Sequence, residues 1–282
     1  MSLLPPMTYF GGKASLAPQI VPLLPAHEHY VEPFAGSLAV LLAKPRSRME
    51  TVNDLDQDLM VFWRVLREQP ESLRRSMALT PHSRAEVDAA VLDEPGLSDL
   101  ERARRVWVLL AQSRGGTLRR TGWRYYTNPG ASTYGMPDYL AAYVDRVPAV
   151  AARLHGVSLE CRPALEVIAK YGQSPQVLLY CDPPYLGSTR GGANYRHELA
   201  GEAAHRELAE TLHACRSAVV LSGYHSPLYE DLYGDWDRVS FRAWTGNGTP
   251  AGASRVNGAR VEVLWSNRPL GEPHLFSEEA QP

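Results

Sequence analysis

Apolar residues recur along this chain with two periods, one near two and one near three to four, which separate candidate strands from candidate helices. His29 to Val31 reads as a short strand ending at Glu32, Pro33-Phe34-Ala35-Gly36 turns the chain, and SLAVLLAK (37–44) has the apolar density of a helix packed on a sheet. Met49 to Val52 predicts a second strand stopping at Asn53-Asp54-Leu55-Asp56, followed by an apolar-rich helix over Gln57 to Glu68. Residues 71–112 read as mostly helical with a break at 92–96, whereas 113–137 is rich in Gly, Thr, Arg and Tyr and has little periodicity. Strands are then predicted at 157–161, 177–181 and 218–222, with a helix at about 202–215 and further strands near 237–242 and 261–265. Strands separated by helices imply an open, mainly parallel α/β sheet, whose ligands bind at the carboxyl ends of strands beside a switch in strand order. On this pattern, 1–64 and 158–270 form one discontinuous domain, 65–157 is an inserted and mainly helical domain, and 271–282 is a disordered tail.

Composition supports a globular chain: of 282 residues, 44% are hydrophobic and 21% charged, enough to bury a sizeable core. The N-terminus lacks a basic start with an apolar core, and no apolar run approaches the roughly 18 residues of a membrane span, so a cytoplasmic location is expected. Cys161, Cys181 and Cys215 form neither a disulfide framework nor a zinc motif. Net charge is only −2, yet seven arginines and no acid lie between Arg102 and Pro137, interleaved with Trp107, Trp123, Tyr125, Tyr126 and Tyr134. That mixture is the chemistry of phosphate contact and base stacking. A solvated face is the alternative, because three lysines among 29 basic residues indicate a general bias toward arginine.

Three strand ends carry candidate chemistry. The Gly36 turn between strand and helix lets backbone amides approach a ligand, although such turns also need a glycine for purely structural reasons. Asp54 lies eighteen positions later at the end of the next strand, where nucleotide-binding α/β folds place the acid that accepts ribose hydroxyls; capping of the following helix is its structural alternative. In VLLYCDPPY (177–185) an apolar strand ends on Asp182, Pro183, Pro184 and Tyr185. The prolines lack amide donors, so carbonyls and the Asp182 carboxylate leave a site of acceptors, able to take both hydrogens of one exocyclic amino group while Tyr185 stacks on its ring. Two acceptors help localise the amine lone pair and disperse positive charge as nitrogen attacks an electrophile.

YFGGK (9–13), VEPFAGS (31–37), NDLD (53–56), CDPPY (181–185) and LSGYHSPLYEDLY (221–233), in that order, resemble the Dam-type, D12-class (alpha-group) family of DNA adenine N6-methyltransferases over roughly 7–267. The resemblance implies a Rossmann-like, S-adenosylmethionine-dependent methyltransferase sheet whose insertion is the DNA target recognition domain. It implies S-adenosylmethionine as methyl donor, S-adenosylhomocysteine as product, and no metal. Tyr9, Phe10, Gly11, Gly12 and Lys13 match the first cofactor motif. Glu32, Pro33, Phe34, Gly36 and Ser37 match the Gly turn, Asp54 the ribose acid, and Asp182 the carboxylate between cofactor and base. Tyr185 matches the stacking aromatic. Leu38 stands where the family's turn usually carries a second glycine.

The mechanism expected from these residues is direct transfer to N6 of an adenine rotated out of duplex DNA, with no covalent intermediate. Arg114, Arg119, Arg120, Arg124 and Tyr126 are the expected DNA contacts, joined by Arg255 in the glycine-rich loop 245–258. Double-stranded DNA is thus the partner and a nucleoid-associated location follows, with no membrane; neither a restriction endonuclease partner nor an oligomeric state is legible in the chain. The same pocket could serve cytosine N4 or an RNA base, and a DNA-binding or cofactor-sensing module with weak catalysis is the alternative from another class.

Overall fold

The computed structural model describes residues 3–128, 135–185, 201–244 and 259–271. In chain order its elements are α1 (Ala17–Ile20), β1 (His29–Glu32), α2 (Ala39–Ala43), β2 (Met49–Asn53), α3 (Gln57–Glu68), α4 (Pro70–Leu79), α5 (Arg84–Ala89) and α6 (Asp99–Gln112). There follow α7 (Met136–Leu154), β3 (Ser158–Glu160), α8 (Ala164–Tyr171), β4 (Val177–Cys181), α9 (Gly201–His213), β5 (Ala218–Tyr224), α10 (Pro227–Tyr233), β6 (Asp237–Trp244) and β7 (Ala259–Ser266).

The seven strands form one sheet in the order β3-β2-β1-β4-β5-β7-β6, parallel except for β7, which runs antiparallel between β5 and β6. This is a mixed α/β, Rossmann-like sheet. Connections from β1 run outward to β2 and β3, whereas β4 lies on the other side of β1, so strand order reverses between β1 and β4. The crevice at such a reversal is where open α/β sheets receive ligands. Glu32 ends β1 and Asp182 follows β4, so both carboxylates stand at that crevice.

Alternation along the strands divides the interior. Tyr30, Leu178, Tyr180, Val220 and Leu264 join a core with α2, α3, α4, α6 and α7, while Val31, Leu179, Cys181, Leu221 and Trp265 face α8, α9 and α10. The helices between β2 and β3 therefore share a core with one face of the sheet: Trp63, Leu73, Trp107, Val147 and Val150 belong to the same cluster as Tyr30 and Val52. Residue 65, expected as a domain boundary, falls inside α3. The sequence passed over α7 as a discrete element because the adjoining aperiodic stretch masks its start, yet α7 closes the crossover that returns the chain to β3.

Local rules account for most helix starts. The Asp56 carboxylate caps α3 by accepting the amides of Asp58 and Leu59 at 3.1 and 3.2 Å, and Ser98 caps α6 by accepting that of Glu101 at 3.2 Å. Pro70 opens α4 at a position where no amide is needed. No helix among the described residues is long and apolar enough to cross a membrane. Arg255 and Tyr134, the loop 245–258 and residues 272–282 of the expected tail lie outside the described residues.

Candidate active site

A cavity of about 280 Å³ opens at the β1/β4 reversal. Its walls are Tyr9 to Lys13, Glu32 to Ser37, Asp54 to Asp56, Pro163 to Leu165, and Tyr180, Asp182 and Pro184. Four segments far apart in sequence thus bring every residue expected at the cofactor around one space. Pro163 to Leu165, at the start of α8, went unnoticed in the sequence; the signal available was their position just after the third parallel strand.

Close backbone packing shapes this cavity. A Cβ on Gly12 would lie 3.0 Å from Ser37 Oγ and 3.1 Å from the Tyr9 carbonyl, and one on Gly36, whose φ is +47°, would lie 3.0 Å from Tyr9 Cε1. The Tyr9 ring consequently lies against the Gly36 turn. Asp54 accepts the Gly36 amide at 3.0 Å and the Asp56 amide at 3.0 Å, tying the first turn to the second strand end. Helix capping falls to Asp56 rather than Asp54, which leaves Asp54 in the cavity wall. Leu38 adopts the left-handed conformation at φ 57° and sends its side chain into the core with no exposure, so the turn keeps its shape without a second glycine. Glu32, buried and hydrogen-bonded to the Tyr30 hydroxyl at 2.6 Å and the Leu41 amide at 2.9 Å, is pushed up to about 7 by desolvation, against those two bonds.

Across the cavity stands Asp182. Its two oxygens accept from Lys13 Nζ at 2.7 and 2.8 Å, and Oδ1 lies 3.1 Å from the Tyr185 hydroxyl oxygen. Burial raises its pKa above the usual carboxylate range; Lys13 opposes this and Glu262 adds to it. Pro184 lines the cavity, whereas Pro183 is buried. Tyr185 departs from the freely presented stacking ring that the sequence suggests. It is buried, meets Tyr224 edge-on at 4.5 Å, carries Lys13 Nζ 4.9 Å from its ring centre, and donates its hydroxyl to Glu262. The cause is Glu262, a buried carboxylate on β7 that also accepts from Ser222 Oγ at 2.6 Å. Ser222 belongs to the LSGYHSPLYEDLY motif without a role of its own there, and Glu262 lies in no motif; a lone acid inside the apolar strand ValGluValLeuTrp is its sign in the sequence.

The arginine run divides in two. Arg102 pairs with Asp58 at 2.5 Å, Arg104 with Glu86 at 2.6 Å and Glu101 at 2.7 Å, and Arg105 with Glu94 at 2.5 Å and Glu101 at 2.9 Å. These three are tied down by acids from neighbouring turns and helices, so the unbroken positive run in the sequence is not a continuous positive surface. Beyond α6 the chain folds back, with an antiparallel bridge between Ser113 and Trp123. Arg114, Arg119 and Arg120 are exposed there, and Arg120 lies 3.7 Å from Asp88. Arg124 donates to the Tyr126 hydroxyl at 2.8 Å. His82, Trp123 and Tyr125 stack in series at 4.6 and 5.1 Å, with Arg84 over Trp123 at 5.1 Å and Arg114 over Tyr125 at 5.7 Å. This segment meets the cavity through Gly116, whose carbonyl accepts the Phe10 amide at 2.8 Å.

The model of the D12 class N6 adenine-specific DNA methyltransferases matches residues 9–91 and 132–245, more than half of the chain. The chain belongs to this family. Among its relatives, a Type II methyltransferase, M1.LlaDCHI, of Lactococcus lactis subsp. cremoris is 27% identical over 95% of this chain and 96% of its own length. A DNA adenine methylase of Vibrio cholerae serotype O1 is 27% identical over 78% of this chain and 80% of that protein. The solved rRNA methyltransferase AviRa of Streptomyces viridochromogenes aligns with a TM-score of 0.31 at 13% identity, over 90% of this chain and 83% of the other. The family match contains the Gly turn, Asp54, Asp182 and Tyr185, and ends before Glu262.

Proposed function

We propose that the protein transfers a methyl group from S-adenosylmethionine to N6 of an adenine rotated out of duplex DNA. One observation carries the reading beyond family membership: in the wall of a nucleotide-sized cavity, the Asp182 carboxylate already holds an amine-type donor, Lys13 Nζ, against an aromatic ring. The same carboxylate offers the acceptor that an aromatic amine needs beside a bound donor.

The residues present suit S-adenosylmethionine. Gly12 and Gly36 keep the backbone close where a Cβ would collide, Asp54 offers an acceptor for ribose hydroxyls, and Glu32 supplies a buried carboxyl. Bound there, S-adenosylmethionine supplies an electrophilic methyl group on a sulfonium. Asp182 then accepts a hydrogen bond from N6 and stabilises the positive charge that grows on nitrogen, an interaction stronger in the transition state than before it, and the N6 proton released once the methyl is attached leaves by way of this carboxylate to solvent. Pro183 and Pro184 contribute no competing amide donors beside it. Rotating a base out of the stack costs a few kcal/mol, which contacts to Asp182 and the Tyr185 ring offset. Arg114, Arg119, Arg120, Arg124 and Tyr126, with Arg255, provide phosphate and base contacts, and the stacked Trp123 and Tyr125 add aromatic surface.

Incubation with labelled S-adenosylmethionine and mixed-sequence duplex DNA tests this. Label is expected in N6-methyladenine with the wild type and not with Asp182→Ala, once circular dichroism shows that the variant is folded. Equal counts from the two proteins, or label in cytosine or only in added RNA, would overturn the reading.

A further inference from the structure

Two carboxylates face one ammonium in this site. Lys13 is 5% exposed, and its Nζ donates to both Asp182 oxygens and to the Gly11 carbonyl at 3.0 Å while lying 3.6 Å from Glu262 Oε1. It also stands over the Tyr185 ring. Acceptance by Asp182 and contact with Tyr185 are the interactions required by the target adenine, so lysine and base compete for the same groups. A buried ammonium stripped of its anion is strongly disfavoured. Entry of the base therefore requires another acceptor within reach of Lys13.

Glu262 meets that requirement. It is 3% exposed, sits on β7 opposite Tyr224 of β5, and directs Oε1 toward Lys13 while the same oxygen accepts from Tyr185 and Ser222. We propose that Glu262 is a positioning residue of the methyl-transfer site: it holds Tyr185 by the hydroxyl and takes the Lys13 ammonium when a target amine occupies Asp182. The inference rests on the proposed N6 transfer. Lys13 thereby keeps Asp182 paired in the base-free enzyme without blocking catalysis, because its charge has a second place to go.

A charge role differs in pH dependence from a packing role. Asp182 is faced by Lys13 from the N-terminal loop, by Tyr185 of its own loop and by Glu262 from β7, and it interacts with Glu32 of β1 and Tyr180 of β4. Glu262 opposes ionisation of Asp182. Removing the Glu262 charge therefore moves the acid limb of activity to lower pH.

Glu262→Gln keeps an oxygen acceptor for Tyr185 and Ser222 but removes the charge, whereas Glu262→Ala removes both. With mixed-sequence duplex DNA, Glu262→Gln is expected to raise KM for DNA about tenfold, the equivalent of one lost charge-assisted contact, with a smaller change in kcat and an acid limb at lower pH. Glu262→Ala is expected to lower kcat as well. Independently of turnover, the three lysines give three 15Nζ signals in lysine-labelled protein, and Lys13→Arg identifies the one from Lys13. Adding DNA with S-adenosylhomocysteine is expected to shift that signal in the wild type and not in Glu262→Gln. A wild-type KM and acid limb in Glu262→Gln, or identical signal shifts in the two proteins, would overturn the role of Glu262. A wild type that incorporates no methyl would sink the proposed function instead, while the lysine signals still decide whether the ammonium moves.

Discussion

Leu38 and Glu32 illustrate opposite bargains between local chemistry and burial. A left-handed, non-glycine residue costs about 1–2 kcal/mol, yet a fully buried leucine returns about 1.5–3 kcal/mol, so Leu38 holds a turn where the resemblance leads one to expect a glycine. The departure at Leu38 was visible in the sequence, but its resolution depended on where the side chain went. Glu32 shows the reverse: a carboxylate kept in the interior with its pKa raised from 4.5 to about 7. A raised acid pKa means that the folded state binds the proton more tightly, so this contribution to stability is complete below the unfolded value and is lost as pH rises through the folded one. Thermal unfolding followed from pH 4.5 to 8 is expected to show a component of declining Tm in the wild type that is absent from Glu32→Gln. Parallel curves for the two proteins would mean that Glu32 is not titrating in that window.

Among the elements, the strand ends were the most legible parts of the chain and the arginine run the least. Each predicted strand reappears near its expected place because short apolar runs follow from having both faces of the sheet covered. Charge patterning along one segment says nothing of partners brought in from other segments, and Glu86, Glu94 and Asp58 lie 11 to 44 positions away from the arginines they hold. The two classes of arginine should separate by experiment. Arg104→Ala, losing contacts to Glu86, Glu101 and Thr80, is expected to lower stability by about 1–2 kcal/mol while leaving DNA affinity unchanged. Arg114→Ala is expected to leave stability within about 0.5 kcal/mol, and to weaken DNA binding while reducing the salt slope by about one. Denaturation curves and salt titrations of binding provide the check; interchanged behaviour would reverse the division drawn between α6 and the segment beyond it.

For the whole molecule, the chief consequence of the fold is that the helices between β2 and β3 are built into the sheet's own core. Urea unfolding is accordingly expected to give coincident transitions by tryptophan fluorescence and circular dichroism; two separated steps would show that the 65–157 segment is an independent domain, as its sequence suggests. Amino-acid order by itself determined the alternation of strands and helices, the three strand ends that carry Gly36, Asp54 and Asp182, and the family, because these depend on local periodicity and on short motifs of fixed spacing. Tertiary structure alone decided that Asp56 rather than Asp54 caps α3, that Arg102, Arg104 and Arg105 are each held by a carboxylate from outside α6, and that Glu262 and Lys13 meet at Asp182. Those outcomes are contacts between residues distant in the chain. A carboxylate 80 positions from Asp182 acquires its meaning only when β7 is inserted beside β5 and places Glu262 at the crevice.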